Sequence, residues 1–140
     1  MTERYHFIIY SMQKSFFIWV IKALVLVSFF SPLIVSGSFY FPYIVPKTIF
    51  FQVAIEVALF FYLLLLVIDR SYSPKWDLLA KSVIAFFGVY AVAGILGANP
   101  ERSFFGSYER MLGVLNTAHF VALFFIVRSV FISAKDWIWL

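Results

Sequence analysis

The sequence predicts an all-α membrane protein with four transmembrane helices, and its composition, its size and its residue pattern support this. Of the 140 residues, 64% are hydrophobic and only 13% are charged. A soluble domain of this size has too small an interior for so much apolar surface, so we expect lipid to cover much of it. Stretches such as VALFFYLLLLVI do not alternate apolar with polar residues, as transmembrane β-strands do. Helices are expected instead, because in lipid each backbone polar group must bond within its own segment.

Four apolar segments are long enough to cross a hydrocarbon layer about 30 Å thick, which takes roughly 20 helical residues. They cover residues 16–36, 48–68, 78–97 and 112–132. The first contains Lys22, and Pro32 is expected to bend or end it. It is longer than the apolar region of a signal peptide, so we interpret it as an uncleaved helix. Together the four segments predict one membrane domain over residues 1–140.

The distribution of lysine and arginine predicts the orientation. With four spans, the two termini and the loop at residues 69–77 lie on one side. The eight basic residues on that side are Arg4, Lys14, Lys22, Arg70, Lys75, Lys81, Arg128 and Lys135, and the three on the other are Lys47, Arg102 and Arg110. Because loops rich in Lys and Arg stay inside, both termini are expected in the cytoplasm, with the protein in the cytoplasmic (inner) membrane.

The outward loop NPERSFFGSYERMLG, residues 99–113, is unusually rich in charge for this chain. It begins with a helix start signal, because Asn99 suits an N-cap and Pro100 suits the first helical position. At about 100° per residue, apolar and polar side chains fall on opposite faces. The apolar face comprises Phe104, Phe105, Tyr108, Met111, Leu112 and Leu115; the polar face comprises Arg102, Gly106, Glu109, Arg110 and Gly113. This pattern predicts one amphipathic helix in the outer interface, which turns into the fourth span near Gly113.

The polar face of that helix has two interpretations. Arg102 and Arg110 would suit a diphosphate, since guanidinium groups match phosphate oxygens, and Glu109 could orient one of them. Gly106 and Gly113 would leave this face open to a ligand. Alternatively, the helix is an interfacial anchor whose arginines contact lipid phosphates. The residues alone leave both interpretations open.

Ionisable residues within the spans predict a polar contact between helices. Glu56 is expected near the bilayer midplane, where an unpaired carboxylate is costly. His119 lies at a compatible depth on the fourth span and is the preferred partner, with Lys22 second. Lys22 itself is expected to extend toward the inner interface. The Glu56–His119 contact would be structural, or it would relay a proton or a substrate.

Other features limit the function. The small residues Ala93, Gly94, Gly97 and Ala98 indicate close helix packing. The sequence has no cysteine and no P-loop, GxSxG, HExxH or dinucleotide motif. His6 and His119 are expected on opposite sides of the membrane, so no metal site is predicted. The basic residues form no run that would indicate nucleic-acid binding. No catalytic residue and no cofactor are therefore predicted.

Two long stretches resemble a known family. FPYIVPKTIFFQVAIEVALFFYLLLLVIDRSYSPKWDLL and LGANPERSFFGSYERMLG, with the final KDWIWL, resemble the N-terminal part of bacterial O-antigen ligase and polymerase-like membrane proteins. The resemblance begins near Lys14 and is strongest to members with an FPFIxxKxxFFxxxVE helix and an NPxRSFWxxYERMxG loop. Phe105 stands where tryptophan is usual. The matching loop positions are Asn99, Pro100, Arg102, Ser103, Phe104, Tyr108, Glu109, Arg110, Met111 and Gly113.

The resemblance implies a polytopic enzyme that transfers a glycan from a polyprenyl-diphosphate carrier to an acceptor outside the cytoplasmic membrane, without a metal or nucleotide. The catalytic His and Arg of the family lie in later loops, so none is carried over to this chain. The chain is then expected to be an N-terminal portion, inactive alone, whose partners are membrane lipid, the lipid-linked glycan and the remaining transmembrane helices.

Alternatives remain for the function and for the ends of the chain. The chain could instead be a small non-catalytic multi-pass membrane protein, a structural or assembly subunit. A small transporter with Glu56 as a relay is a weaker third option, because no broken helix pair or inverted repeat is visible. A start at Met12 is an alternative to Met1. The closing DWIWL resembles the beginning of another span, which favours a truncated chain or gene.

Overall fold

A computed structural model describes residues 2–107 and 110–133, with side chains from residue 12 onward. This part of the chain is helical and contains no strand, so the predicted all-α class is confirmed. The α-helices are α1 (Thr2–Ser28), α2 (Val45–Ile68), α3 (Leu78–Leu96), α4 (Pro100–Phe105) and α5 (Val114–Val130). Short 3-10 turns occur at Ser31–Leu33 and Arg70–Tyr72.

The prediction of four membrane-spanning helices is wrong in number for the described residues. By length and composition, two helices are able to cross a membrane, α2 and α3. The apolar helix α5 has 17 residues, which gives it a length of about 26 Å at 1.5 Å per residue. Helix α5 is therefore somewhat shorter than a typical hydrocarbon layer of about 30 Å.

The predicted bounds lie within three residues of the helix ends at the second, third and fourth segments and differ by more at the first. Helix α2 begins at Val45, where Pro46 occupies the first turn, and α3 ends at Leu96, one residue before the predicted end. Helix α1 begins at Thr2, well before residue 16, and ends at Ser28. The apolar run continues to residue 36, but Pro32 lies in a separate 3-10 turn and has no N–H for an α-helical hydrogen bond.

The interior lies where α1, α2 and α5 meet, with α2 in the centre. One stripe of α2 is buried, and it packs against α1 and α5. The buried residues of this cluster are Ile21 and Val25 from α1, Ala58, Tyr62 and Leu65 from α2, and Ile126, Val130 and Phe131 from the fifth helix and its C-cap. The three helices therefore form one packed unit, to which α3 is attached.

Helix α3 has only one buried residue, Ala80, and contacts α5 and α4. The close approach is at Gly94, where α3 has no side chain. A Cβ on Gly94 would lie 3.0 Å from the Val114 side chain and 3.6 Å from Cβ of Ser103. The expected helix packing at this small-residue stripe is confirmed at Gly94, since a larger residue would push α5 away.

Ion pairs join the helices at the end that carries the loop at residues 69–77. Lys14 Nζ lies 2.5 Å from Asp69 Oδ2, and the backbone N–H of Ser71 donates to the same carboxyl group at 2.9 Å. The hydrogen bond from Lys14, followed by that from Ser71, lowers the pKa of Asp69 to about 2. Arg128 pairs with Asp77, and this hydrogen bond is the main cause that lowers the pKa of Asp77. At this end of the bundle, ion pairs therefore connect α1 to the end of α2 and α5 to the start of α3.

Candidate functional site

The loop at residues 99–113 begins as the sequence predicts. The Asn99 side chain accepts a hydrogen bond from the Arg102 backbone N–H at 3.1 Å, and Pro100 follows as the first helical residue. Glu101 lies in the first turn. The predicted N-cap is therefore confirmed, and it fixes where Arg102 lies in α4.

The expectation of one continuous amphipathic helix up to Gly113 is wrong. Helix α4 has six residues and ends at Phe105. Its C-cap, Gly106, has φ +85°, a left-handed backbone that glycine adopts without steric cost. The described residues that follow, 106–107 and 110–113, are not helical, and α5 begins at Val114. Arg102 is thus helical, whereas Arg110 lies in the connection.

At two glycines of this loop, backbone atoms of other loop residues occupy the space where a side chain would begin. A Cβ on Gly113 would lie 2.2 Å from the Phe104 carbonyl oxygen, and one on Gly106 would lie 2.6 Å from the Leu112 nitrogen. Both glycines are required because the backbone closes on itself there. Gly106 nevertheless lines a cavity next to both arginines, whereas Gly113 is not among the lining residues of that cavity.

Even so, Arg102 and Arg110 line the same cavity. It has a volume of about 510 Å³ and lies between the second half of α3, α4, the connection and the start of α5. Gly94, Ser103 and Ser107 contribute small walls, and the only charged lining residues among those described are the two arginines. The loop thus places two arginines at one cavity without a continuous helix.

A second cavity of about 860 Å³ adjoins the first and also contacts Arg102. It reaches the start of α2 at Val45 and includes Glu101. In the part of the chain that the structure describes, neither Arg102 nor Arg110 forms an ion pair with a carboxylate. Glu109, the predicted orienting carboxylate, lies outside the described residues.

The preferred pair, Glu56 with His119, is present. His119 Nε2 lies 3.0 Å from Glu56 Oε1, and His119 Nδ1 lies 2.7 Å from the Leu115 carbonyl oxygen. The His119 side chain is 8% exposed, but that of Glu56 is 63% exposed. Glu56 is therefore bonded to α5 without being buried between the described helices. Glu56 lies on the outer side of α2 and reaches sideways to α5.

The geometry limits the protonation states of this pair. The Leu115 carbonyl can only accept, so Nδ1 of His119 carries a hydrogen and donates it. One further proton must then lie between Nε2 and Oε1, on either atom. Both arrangements, carboxyl with imidazole or carboxylate with imidazolium, have no net charge. A neutral unit of this kind is far less costly in apolar surroundings than a lone carboxylate.

Lys22, the second-choice partner, lies elsewhere in the bundle. Its ammonium group is 5.6 Å from the ring centroid of Phe131, at the C-terminal end of α5. His119 lies about 16 Å or more from that end along the helix axis, at 1.5 Å per residue. The structure therefore pairs Glu56 with His119, while Lys22 lies toward the end with the loop at residues 69–77.

Three polar residues near these sites were not predicted from the sequence. Ser107 and Tyr90 line the cavity with the arginines, and Asn116 is buried on α5 one turn before His119. The spacing of Asn116 and His119 was a usable signal, since residues three apart share a helix face. Nothing in the pattern marked Tyr90, because the approach of α3 to the loop is tertiary.

Comparison of the chain with models of protein families, with curated proteins and with solved structures finds no match. The chemical capacity of the site therefore follows from its own residues. Two guanidinium groups from different segments, at one cavity with small walls, are suited to an anion that carries several oxygens.

Proposed function

We propose that this chain is the N-terminal membrane portion of an O-antigen-ligase-like glycosyltransferase, and that its arginine cavity binds the diphosphate of a polyprenyl-linked glycan. The observation that carries the proposal is that Arg102 and Arg110 line one cavity although they belong to different segments. The motif NPxRSFWxxYERMxG, which the loop resembles, contains both arginines. A site for a doubly charged group needs more than one cation, and this loop supplies two.

The surroundings of the cavity also suit a lipid-linked diphosphate. Ser103 and Ser107 are close enough to line the same space, and hydroxyl groups donate to phosphate oxygens. Helix α3, which forms one wall, exposes large apolar side chains such as Phe86 and Val89. An isoprenoid chain requires apolar surface beside the charged group, and α3 offers it.

In this proposal the chain crosses the cytoplasmic membrane several times, with both termini in the cytoplasm and the arginine cavity at the outer face. Two observations support it. Helices α2 and α3 are long and apolar enough to cross, and most Lys and Arg residues fall on the predicted inner side. The ion pairs Lys14–Asp69 and Arg128–Asp77 lie at the opposite end of α2 and α3 from the cavity.

The chain alone is not proposed to catalyse transfer. The resemblance places the catalytic His and Arg in later loops, and the charged residues lining the cavity bind rather than react. The acceptor and the reacting groups would come from the remaining transmembrane helices of a longer chain. Binding of the donor diphosphate is therefore the function that this portion would contribute.

A second candidate is a non-catalytic multi-pass membrane protein, a structural or assembly subunit. The observation that favours it is the exposure of α3, which has one buried residue and an apolar surface available to other helices. The two candidates differ in whether the arginine cavity prefers a diphosphate.

Binding of a polyprenyl diphosphate to the chain in lipid nanodiscs tests the proposal. We expect it to bind more tightly than the matching polyprenol or an anionic phospholipid, and to depend on Arg102 and Arg110. Equal binding of the three lipids would leave the arginines as interfacial anchors and favour the structural subunit.

A further inference from the structure

Helix α2 carries two stripes with the same spacing on opposite faces. The inner stripe, which is buried, is Phe51, Ile55, Ala58, Tyr62 and Leu65. The outer stripe, which is exposed, is Ile49, Val53, Glu56, Phe60, Leu63 and Val67. In both, the steps alternate between four and three residues, the spacing of a helix–helix seam. The first five outer residues each precede an inner one by two positions, which is about 200° around the helix.

Each stripe is therefore suited to pack another helix, but only the inner one does so in the described part of the chain. The inner stripe contacts α1 and α5. The outer stripe is apolar except for Glu56, and its members are all more than a third exposed. Its five apolar side chains therefore have the spacing that a second helix requires in order to pack against α2.

Glu56 lies at the middle of the outer stripe. It is about 16 Å from Val45 and about 18 Å from Ile68 along the axis, at 1.5 Å per residue. Its Oε1 atom is used by His119, whereas Oε2 makes no hydrogen bond among the described residues. Because the shared proton lies between Nε2 and Oε1, Oε2 is an acceptor in both protonation states. The outer stripe thus presents one acceptor at mid-helix.

We propose that the outer stripe of α2 is a docking seam for a transmembrane helix that carries a hydrogen-bond donor side chain at mid-span, which binds Oε2 of Glu56. The inference rests on α2 crossing a membrane, as proposed above. In hydrocarbon no water can satisfy this acceptor, so a donor from a neighbouring helix is its natural partner. Apolar contacts along the stripe would set the packing, and Glu56 would set the register.

A second copy of this chain does not fit the seam. Because Glu56 is central, pairing of two identical stripes, parallel or antiparallel, would bring the two Glu56 carboxyl groups together. Each already shares its proton with its own His119, so both would present acceptors and neither a donor. The chemistry therefore selects a different helix, one with an ammonium, guanidinium, amide or hydroxyl group at its centre.

The test uses the full chain in phosphatidylcholine vesicles and two synthetic Leu/Ala transmembrane peptides, one with a central Lys and one with a central Leu. An ammonium group supplies donors and no acceptor, so the two peptides differ in the property in question. Association is measured by energy transfer from a labelled chain to a labelled peptide. We expect the Lys peptide to bind about 3- to 20-fold more tightly, the range of interhelical hydrogen bonds in membranes.

Three variants distinguish binding at the outer stripe from non-specific hydrophobic association. Glu56→Leu should abolish the preference for the Lys peptide. Phe60 lies within the stripe, so Phe60→Ala should weaken the binding of both peptides. Leu64 is exposed but lies outside the stripe, so Leu64→Ala should leave the binding of both peptides unchanged. The wild-type comparison of the two peptides needs no substitution, so it stands even if a variant folds poorly.

Two results would overturn the proposal: equal binding of both peptides to the wild-type chain, or self-association of the chain that Phe60→Ala removes. Membrane placement is checked separately, by quenching of a probe at residue 60 with bromolipid. Absence of quenching would overturn this proposal together with the membrane topology. Quenching together with equal binding of the two peptides would overturn only the docking proposal. The proposed diphosphate binding at the arginine cavity would not be affected by that result.

Discussion

Glu56 and His119 lie 63 positions apart in the chain, and a 3.0 Å hydrogen bond joins the carboxyl group of one to the imidazole of the other. The second ring nitrogen of His119 is fixed by the Leu115 carbonyl oxygen at 2.7 Å. This arrangement ties the middle of α2 to the N-terminal half of α5. It also keeps an ionisable pair without net charge where its neighbours are apolar.

The first prediction concerns the chemistry of this pair. Glu56→Gln should leave the free energy of unfolding within about 0.5 kcal/mol of wild type, because an amide N–H can donate to Nε2 of His119. Glu56→Leu should cost about 1–3 kcal/mol, since it leaves a buried ring nitrogen without a partner. Denaturation of the detergent-solubilised chain measures both. Equal losses for the two variants would contradict a hydrogen-bonding role.

The second prediction concerns the arginine cavity. A charge-assisted contact of Arg with phosphate is worth about 1.5–3 kcal/mol. Arg102→Ala and Arg110→Ala should each weaken polyprenyl-diphosphate binding roughly 10- to 150-fold, and Arg→Lys should recover only part of it because the planar fork is lost. Lys47→Ala is the matched control, a cation predicted on the same side that lines neither cavity. Arg→Lys variants with wild-type affinity would indicate contact with lipid headgroups only.

The third prediction concerns topology. The chain has no cysteine, so single cysteines can be placed without background. Cysteines at Ser38 and Ser103 should react with an impermeant label applied outside intact cells, and one at Ser73 should react only after lysis. The reverse labelling pattern would invert the proposed orientation.

The fourth prediction concerns pH. The pKa of Asp69 is lowered to about 2 in the folded chain, so its bond with Lys14 stabilises the fold at pH values above the ordinary Asp pKa of about 3.9. This contribution should be lost as pH falls from about 4 to about 2. Asp69→Asn should flatten that part of the stability curve, measured as the unfolding midpoint in detergent. Asp77 shifts in the same direction, so a residual slope remains in the variant.

The fifth prediction compares glycines in the loop and in α3. Gly106→Ala should destabilise by about 1–3 kcal/mol, because its φ of +85° with an extended ψ is a conformation that essentially only glycine adopts, with further loss because its Cβ would lie 2.6 Å from the Leu112 nitrogen. Gly88→Ala is the control, since nothing lies within 4 Å of its Cβ position. Ala in the interior of a helix should stabilise by about 0.5–1 kcal/mol. In thermal unfolding, the midpoint temperature should therefore fall for Gly106→Ala and rise for Gly88→Ala.

Local signals made several features predictable. The ends of α2 and α3 and the N-cap at Asn99 depend on residues that act within one helical turn, so the sequence indicates them directly. The Glu56–His119 pair could be predicted because both are ionisable groups in apolar segments at similar depth, and such groups need partners. The resemblance to O-antigen ligase-like proteins stays a prediction, as does the role of Glu109.

The sequence by itself determined the all-α class, the bounds of α2 and α3 to within three residues, and the partner of Glu56. Tertiary structure decided the rest. Helix α4 ends at Phe105, where the backbone at Gly113 approaches too closely for any side chain, and no helical periodicity encodes this contact. Only packing decided which face of α2 is buried. After Gln52, α2 is apolar or aromatic on every side apart from Glu56, so its sequence contains two stripes of equal spacing, and contact with α1 and α5 selects the inner one.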